Sequence, residues 1–298
     1  MLLKELNDKG LINPPKWLPT NCCYLTLMGS VAYGCSSDTS DCDVYGFCIP
    51  PKDIVFPHLS GDINGFGKQK QRFDQWQKHH VEDASARKNY DFTVFSIVRY
   101  FHLCMENNPN ALDSIFTPIN CVLHSTEVGN LVRENRRMFL HKGAYHRFLG
   151  YSHSQLHKME SKFPEDGSKR AKLREEFGMD TKFAYHIVRL ADECEQILTI
   201  GDIDLQRSKE RMKAVRRGEV SAEEIKLWFA EKERTLEKLY AESKLQHSPD
   251  EGKIKQLLLN CLEHHYGNLE KCVVNPNAAI QALKEVQEVL DRNASLLR

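Results

Sequence analysis

A short strand-like run that leads directly into Gly29-Ser30 constrains the fold of this chain more than any other feature. Residues Tyr24–Met28 (YLTLM) are apolar, β-branched or aromatic, and Asn21 precedes them. Such a run is typical of a buried strand. Glycine after a strand lets a ligand approach the backbone closely, and a helix that starts there offers free N–H groups to a phosphate. The pattern therefore predicts a strand, a turn and a helix that suit a phosphate-bearing ligand.

Three aspartates follow in a pattern that indicates metal-dependent phosphate chemistry. Asp41 and Asp43 are separated by one residue at the start of a second predicted strand, Asp43–Ile49, and Asp91 lies in a third, Tyr90–Phe95. Because side chains alternate across a strand, Asp41 and Asp43 are expected on one face, and a neighbouring strand would bring Asp91 beside them. Paired carboxylates are hard oxygen ligands of the kind that Mg²⁺ prefers, together with substrate phosphate.

Three carboxylates suffice to hold two metal ions about 3.5–4 Å apart, as in many phosphoryl-transfer sites. We expect two Mg²⁺ ions, with Mn²⁺ as an alternative. The ion at Asp41 and Asp43 would bind a triphosphate and stabilise the leaving pyrophosphate. The second ion, bridged by that pair and completed by Asp91, would activate the attacking oxygen, and Asp91 is a candidate to accept its proton.

Strand patterns are confined to the front of the chain, and helical periodicity dominates from Ser96 onward. The stretch 57–88 has little periodicity and predicts a long loop or lid with at most one short element. Ser221 opens a capping box that starts a long charged helix. The chain is therefore expected to be an α+β protein, with a mixed sheet and helices in front and an all-helical region behind.

The charges balance overall but are unevenly distributed. The 298 residues carry 41 basic and 41 acidic side chains. Residues 131–217 hold 19 basic and 13 acidic side chains, and the segments before and after each hold 11 basic and 14 acidic ones. A neutral chain is not expected to coat nucleic acid indiscriminately, but the basic middle segment suits a local phosphate-binding cleft.

The composition also predicts the compartment. No run approaches 18 apolar residues, and the N-terminus has no uninterrupted apolar stretch, so neither a membrane span nor a secretory signal is expected. The ten cysteines form no CxxC pair and are interpreted as reduced thiols of a cytoplasmic protein. Adjacent residues of a regular helix or strand cannot face one site. The pairs His79-His80 and His264-His265 are therefore interpreted as surface or core histidines that bind no metal.

These motifs together resemble the DNA polymerase β-like nucleotidyltransferase superfamily. Within it, the chain resembles the branch of predicted nucleotidyltransferases associated with RNA repair, which is common in bacteriophages and bacteria. The resemblance covers about residues 22–240. Its motifs occur in the expected order: Gly29-Ser30-x-Ala32-Tyr33-Gly34, Ser40-Asp41-x-Asp43-x-x-Gly46, Asp91, Asn108-Pro109-Asn110 with Leu112-Asp113 (the branch usually has Glu at this last position), Lys182-x-x-x-His186-x-x-Arg189-Leu190, Gly201, and Arg216-Arg217-Gly218-Glu219.

The resemblance implies an architecture and a reaction. Residues 1–120 would form the nucleotidyltransferase catalytic domain, and residues 121–298 a helical domain that closes over the active site. The enzyme would move a nucleoside monophosphate from an NTP to an acceptor hydroxyl and release pyrophosphate. An RNA 3′ end is the acceptor that the family favours. A protein or small-molecule acceptor and a catalytically silent nucleotide- or RNA-binding regulator are the alternatives, and the oligomeric state stays open.

Candidate nucleotide-binding residues are Gly29 and Ser30 at the turn and a basic triplet further along the chain. Lys182, His186 and Arg189 lie at i, i+4 and i+7 and share one helix face, where they would assist with phosphates. A solvated face with internal ion pairs is the alternative for this triplet. Tyr33 would either stack on a base or pack. Asn108-Pro109-Asn110 is expected to end a helix.

Overall fold

A computed structural model describes residues 1–36, 41–56, 67, 72–161, 169–267 and 278–293. Ser40 and most of the predicted loop before Arg72 therefore lie outside the described residues. The described part contains a five-stranded mixed sheet in the front half and a helical back half, as the sequence predicts. The α+β fold class is thus confirmed.

The sheet is mixed because one pair of neighbouring strands runs parallel while every other pair is antiparallel. The strand order is β3-β4-β2-β1-β5, and β2 and β4 form the parallel pair. This arrangement brings the second and third predicted strands side by side. The strands are β1 (Cys22–Leu27), β2 (Cys42–Cys48), β3 (Gln75–Asp83), β4 (Lys88–Ser96) and β5 (Val122–Ser125).

Two strands were not anticipated from the sequence. Strand β3 occupies nine residues of the stretch 57–88, where the sequence predicts a long loop or lid with at most one short element of unspecified type. Its side chains are mostly exposed, so it lacks the apolar alternation that marks a half-buried strand. Strand β5 has only four residues, none of them fully buried, and lies within the predicted helical region.

The two faces of the sheet pack against different cores. Phe47 and Phe95 lie on the face covered by the helices and belong to the larger core. Val44 and Phe92 point to the opposite face, where Leu6 and other residues of the N-terminal helix cover them. Alternation along β2 and β4 therefore places odd-numbered residues on the helical side.

The helices account for most of the remaining described residues. They are α1 (Leu2–Asp8), α2 (Leu18–Asn21), α3 (Gly29–Ala32), α4 (Lys52–Val55), α5 (Ile97–Met105), α6 (Pro109–Phe116), α7 (Glu127–Glu134), α8 (Ala144–Ser161), α9 (Lys169–Phe177), α10 (Thr181–Ile200), α11 (Lys209–Arg216), α12 (Ala222–Glu242), α13 (Glu251–Tyr266) and α14 (Ala278–Arg292). None of the helices in the described ranges is long and apolar enough to cross a membrane.

Local sequence explains several of these helix ends. Asn108 caps α6 by accepting a hydrogen bond from the Ala111 N–H, and Pro109 follows at the first helical position, where its missing N–H costs nothing. The Asn-Pro-Asn motif therefore separates α5 from α6, as predicted. Ser221 and Glu224 form the predicted reciprocal capping box of α12.

One continuous hydrophobic core joins the front and the back of the chain. Tyr24 and Phe47 of the sheet belong to the same buried cluster as Ile187 of α10 and Phe229 of α12. Removing the helical region would therefore expose a large apolar surface of the sheet. The division into domains at residue 120 stays a prediction.

Candidate active site

Asp43 and Asp91 lie side by side on adjacent parallel strands. The register of β2 and β4 pairs these two residues directly, and both occupy the helix-covered face near one end of the sheet. Burial raises the pKa of Asp43, and the negative charges of Asp91 and Asp41 raise it further, while Lys182 and His79 oppose the rise. The structure therefore brings together two of the three predicted acids and keeps the third within electrostatic range.

Gly29 closes the other side of Asp43. Its φ is +61°, a backbone conformation that glycine adopts readily, and a Cβ built on it would overlap Oδ2 of Asp43. The N–H of Met28 donates to the backbone carbonyl of Asp43 at 2.7 Å, which fixes the turn against β2. Glycine is thus required here by the carboxylate itself, and Ser30 follows in the single turn of α3.

Asp41 differs from the other two acids in its environment. It precedes β2 by one residue and is exposed, so the predicted strand alternation does not strictly apply to it. Its charge nevertheless contributes to the raised pKa of Asp43.

The acids fit a divalent cation in chemistry, although the complete ligand set is not assembled. Among the described residues, no group of three His, Cys, Asp or Glu side chains stands in a metal-holding arrangement. Asp43 and Asp91 are two hard oxygen ligands whose mutual repulsion shows in the raised pKa of Asp43. A cation between them would relieve that repulsion. Asp43 and Asp91 are therefore the residues that would hold Mg²⁺, with Asp41 as the third donor.

Lys182 is placed to act on this acidic pair. It is exposed at the start of α10, where the Asp180 carboxylate caps the helix by accepting the Lys182 N–H at 2.9 Å. Its positive charge lowers the pKa of Asp43 against the effect of burial. His186, one turn further, is half-buried with its ring 4.2 Å from that of Tyr185. Lys182 thus supplies a cation at the edge where the acids lie.

The sequence predicts nucleotide contact for Tyr33 and Arg189, but both side chains are buried in the structure. Tyr33 is 2% exposed and its hydroxyl donates to Asp113 Oδ2 at 2.7 Å. The Arg189 guanidinium is 5% exposed, donates to the Tyr33 hydroxyl at 2.9 Å and pairs with Asp113 and Glu193. These four side chains form a buried polar cluster, which favours packing over base stacking for Tyr33.

The buried cluster connects the glycine turn to the helical region. Tyr33 follows α3, Asp113 lies on α6, and Arg189 and Glu193 lie on α10. Burial raises the pKa of Asp113 and that of Glu193 well above its usual range, while Arg189 opposes both shifts. Removing Arg189 would therefore leave two buried carboxyl groups without their cation.

Two further contacts hold the same segment from the helical side. Gln206 donates to the backbone carbonyl of Ala32 at 3.1 Å. Arg216, from the basic motif of the back half, donates to the backbone carbonyl of Cys35 at 2.6 Å and lies over the ring of Tyr185. Sequence reasoning placed Arg216 in a basic segment but did not predict that it would bind the backbone beside the turn.

The histidine pair His79-His80 is a further part of the site that sequence reasoning missed. The His80 N–H donates to Asp91 Oδ1 at 2.7 Å, and His79 Nδ1 lies 3.6 Å from the same oxygen. A regular strand would not bring both residues to one group, but β3 is irregular at this point. An adjacent polar pair in a stretch without strand periodicity was the only signal available.

Comparisons with known proteins identify the family of this chain. Residues 15–265 match the RlaP family, described as the RNA repair pathway DNA polymerase beta family. An uncharacterized 38.9 kDa protein of Enterobacteria phage T4, from the nrdC-mobD intergenic region, is 28% identical over 150 residues. That match covers 49% of this chain and 40% of the phage protein. No solved structure matches the chain. Because the family match spans most of the sequence, the chain belongs to the RNA repair pathway DNA polymerase beta family.

Proposed function

We propose that this protein is a Mg²⁺-dependent nucleotidyltransferase that moves a nucleoside monophosphate from an NTP to an acceptor hydroxyl and releases pyrophosphate. The observation that carries the proposal is the pairing of Asp43 with Asp91 on parallel strands, with Gly29 against Asp43. Membership of a polymerase β-related family supports the same reaction.

Different residues of the described part would serve the nucleotide and the acceptor. Asp43, with Asp41, would hold the nucleotide's phosphates through Mg²⁺. The turn at Gly29-Ser30 lies directly beside Asp43. Lys182 would neutralise charge on the triphosphate, because it is exposed and already within electrostatic range of Asp43. When bound, Mg²⁺ supplies charge neutralisation at the leaving pyrophosphate and at the attacking oxygen.

Asp91 is the candidate for the acceptor side. Its carboxylate is 29% exposed, so an incoming hydroxyl has access to it. It could orient that hydroxyl and accept its proton, while Asp43 stays on the nucleotide side. Catalysis in this scheme rests on positioning and charge neutralisation, which is general for phosphoryl transfer.

We propose an RNA 3′ end as the acceptor, because the matched family is described by an RNA repair pathway. We also propose that the protein acts in the cytoplasm. The nine cysteines in the described part of the chain are free and buried, which suits a reducing compartment.

The direct test incubates the protein with each of the four NTPs, labelled at the α-phosphate, and Mg²⁺. Two RNA oligonucleotides that differ only in a free or blocked 3′ hydroxyl serve as acceptors. The proposal predicts that the label enters the RNA with the free hydroxyl alone. Label that enters protein, detected as a mass increase of one nucleotide, would support a protein acceptor. Nucleotide binding without any transfer would support a catalytically silent regulator.

A further inference from the structure

The edge strand β3 carries a bulge at the level of Asp91. The pairing of β3 with β4 shifts by one residue between Lys78 and Val81, so that His79 and His80 together oppose Asp91. Two residues against one is the signature of a β-bulge, which redirects a side chain or a backbone group. The bulge therefore lies beside one of the proposed metal ligands.

The bulge turns a backbone donor toward the Asp91 carboxylate. His80 has a φ of +54°, in the left-handed region that non-glycine residues rarely adopt. In this conformation its N–H donates to Asp91 Oδ1 at 2.7 Å. His80 is exposed, so packing of its side chain does not explain the unusual backbone. The hydrogen bond to Asp91 is what the conformation achieves.

His79 approaches the same carboxylate oxygen with its side chain. Its Nδ1 lies 3.6 Å from Asp91 Oδ1, and 54% of its side chain stays exposed. His79, Asp91 and Asp43 therefore form a row across β3, β4 and β2. With Oδ1 engaged on the β3 side, Oδ2 is the oxygen left for a cation shared with Asp43.

We propose that the His79–His80 bulge is a positioning element for Asp91: it fixes the orientation of this carboxylate so that Asp91 and Asp43 present their oxygens to one cation. The inference rests on the proposed metal role of Asp91. Groups that orient metal ligands change metal affinity or activity by about 10–100-fold when they are altered.

The first test measures Mn²⁺ binding by electron paramagnetic resonance, without nucleotide or turnover. His80→Val places a β-branched residue at positive φ and should weaken Mn²⁺ binding about tenfold or more. His80→Gly keeps the N–H and suits the backbone, so its affinity should stay within about twofold of wild type. Arg87→Val is the matched control, because Arg87 lies in the same hairpin with a φ of +53°. Arg87→Val should lose about as much thermal stability as His80→Val but keep the Mn²⁺ affinity of the wild type.

The second test uses His79→Ala in the transfer assay with the free 3′ hydroxyl RNA. We expect kcat to fall about tenfold with the KM for ATP unchanged, and His79→Gln to recover part of the loss. His102→Ala is the control, because His102 also pairs with a carboxylate, Glu106, on an exposed surface. It should change neither constant.

The outcomes separate this inference from the proposed function. Wild-type Mn²⁺ affinity in a folded His80→Val protein, or an unchanged kcat in His79→Ala, would overturn the positioning role. Where the wild type transfers no nucleotide but its Mn²⁺ affinity depends on His80 as expected, the proposed function fails and the positioning role stands. A His80→Val protein that does not fold leaves His79→Ala, measured by Mn²⁺ binding, to decide.

Discussion

Gly29 lies so close to Asp43 that any side chain at position 29 would overlap the carboxylate. A Cβ there would fall against Oδ2 and 3.2 Å from Cγ. The glycine that follows β1 and the acid near the start of β2 are thus packed as one unit. This contact explains in physical terms why the glycine and the aspartate occur together.

The first prediction concerns Gly29→Ala. The substitution should displace the Asp43 carboxylate and reduce nucleotide transfer by about 100-fold, since a misplacement of about 1 Å can cost this much. It should also cost about 1–2 kcal/mol of stability through the positive φ. Kinetics and thermal denaturation measure the two effects.

Gly10→Ala provides the matched control for that experiment. Gly10 also has a positive φ, of +71°, but nothing lies within 4 Å of its Cβ position. It should therefore lose stability without losing transfer. Equal activity in the two variants would contradict the role of the Gly29–Asp43 contact.

The second prediction concerns pH and stability at Asp43. The pKa of Asp43 in the folded state is raised above its usual value of 3.8. Between pH 3.8 and the folded pKa, the folded state therefore binds more protons than the unfolded state. The free energy of unfolding falls as pH rises through this range. Asp43→Asn removes this penalty. The variant should unfold at a higher temperature than wild type at pH 7 in EDTA, and the difference should disappear below pH 3.8.

Magnesium should reverse the order of thermal stability of wild type and Asp43→Asn. Mg²⁺ should stabilise the wild type by binding the folded state and have little effect on Asp43→Asn. Thermal denaturation with and without Mg²⁺ measures both proteins. A wild type that is more stable than Asp43→Asn in EDTA at pH 7 would contradict the raised pKa.

The third prediction separates the buried cluster from the nucleotide site. Arg189→Ala leaves Asp113 and Glu193 buried without their cation and should cost about 3–5 kcal/mol in urea unfolding. Tyr33→Phe removes one buried hydroxyl and should cost about 1–2 kcal/mol. Neither residue contacts the nucleotide in our account, so the folded Tyr33→Phe protein should bind ATP as the wild type does.

The control for the cluster is Arg217→Ala. Arg217 pairs with Glu219 on the surface, where an ion pair contributes about 0–1 kcal/mol. Its unfolding midpoint should stay close to wild type. A weaker affinity of Tyr33→Phe for ATP, with its stability intact, would restore Tyr33 as a nucleotide-binding residue.

The fourth prediction concerns Lys182. Because this side chain is exposed at the start of α10, Lys182→Ala should leave the unfolding temperature nearly unchanged. It should raise the KM for ATP about tenfold, which corresponds to about 1.4 kcal/mol of lost charge interaction. Lys253→Ala, an exposed lysine on α13, serves as control. An unchanged KM would exclude Lys182 from triphosphate binding.

The pairing of Asp43 with Asp91 shows how far the sequence could lead. Alternation within each strand predicted which residues share a face, and the turn at Gly29 marked the end of β1. The parallel pairing of β2 with β4 depends on a long connection and on packing against helices, which no local pattern encodes. The sequence therefore suggested that Asp43 and Asp91 lie close together. Their direct pairing in the register of β2 and β4 required the structure.

Arg189 shows what helical periodicity does not predict. Lys182, His186 and Arg189 share a face of α10 as predicted, but their exposure decreases along the helix. Periodicity gives the direction of a side chain around the helix axis and says nothing about depth along it. At its buried position Arg189 contacts Tyr33 and Asp113, which are distant in sequence.

The central claim is that Asp43 and Asp91 form a centre for nucleotidyl transfer, and the position of the transferred phosphorus tests it most directly. Wild type, Asp43→Asn and Asp91→Asn are incubated with Mg²⁺, RNA and ATP labelled at either the α- or the γ-phosphate. Our account predicts that wild type places the α label in the RNA and releases the γ label as pyrophosphate in equal amount, and that both variants lose this transfer. Transfer of the γ label, or undiminished α transfer in the two variants, would contradict it.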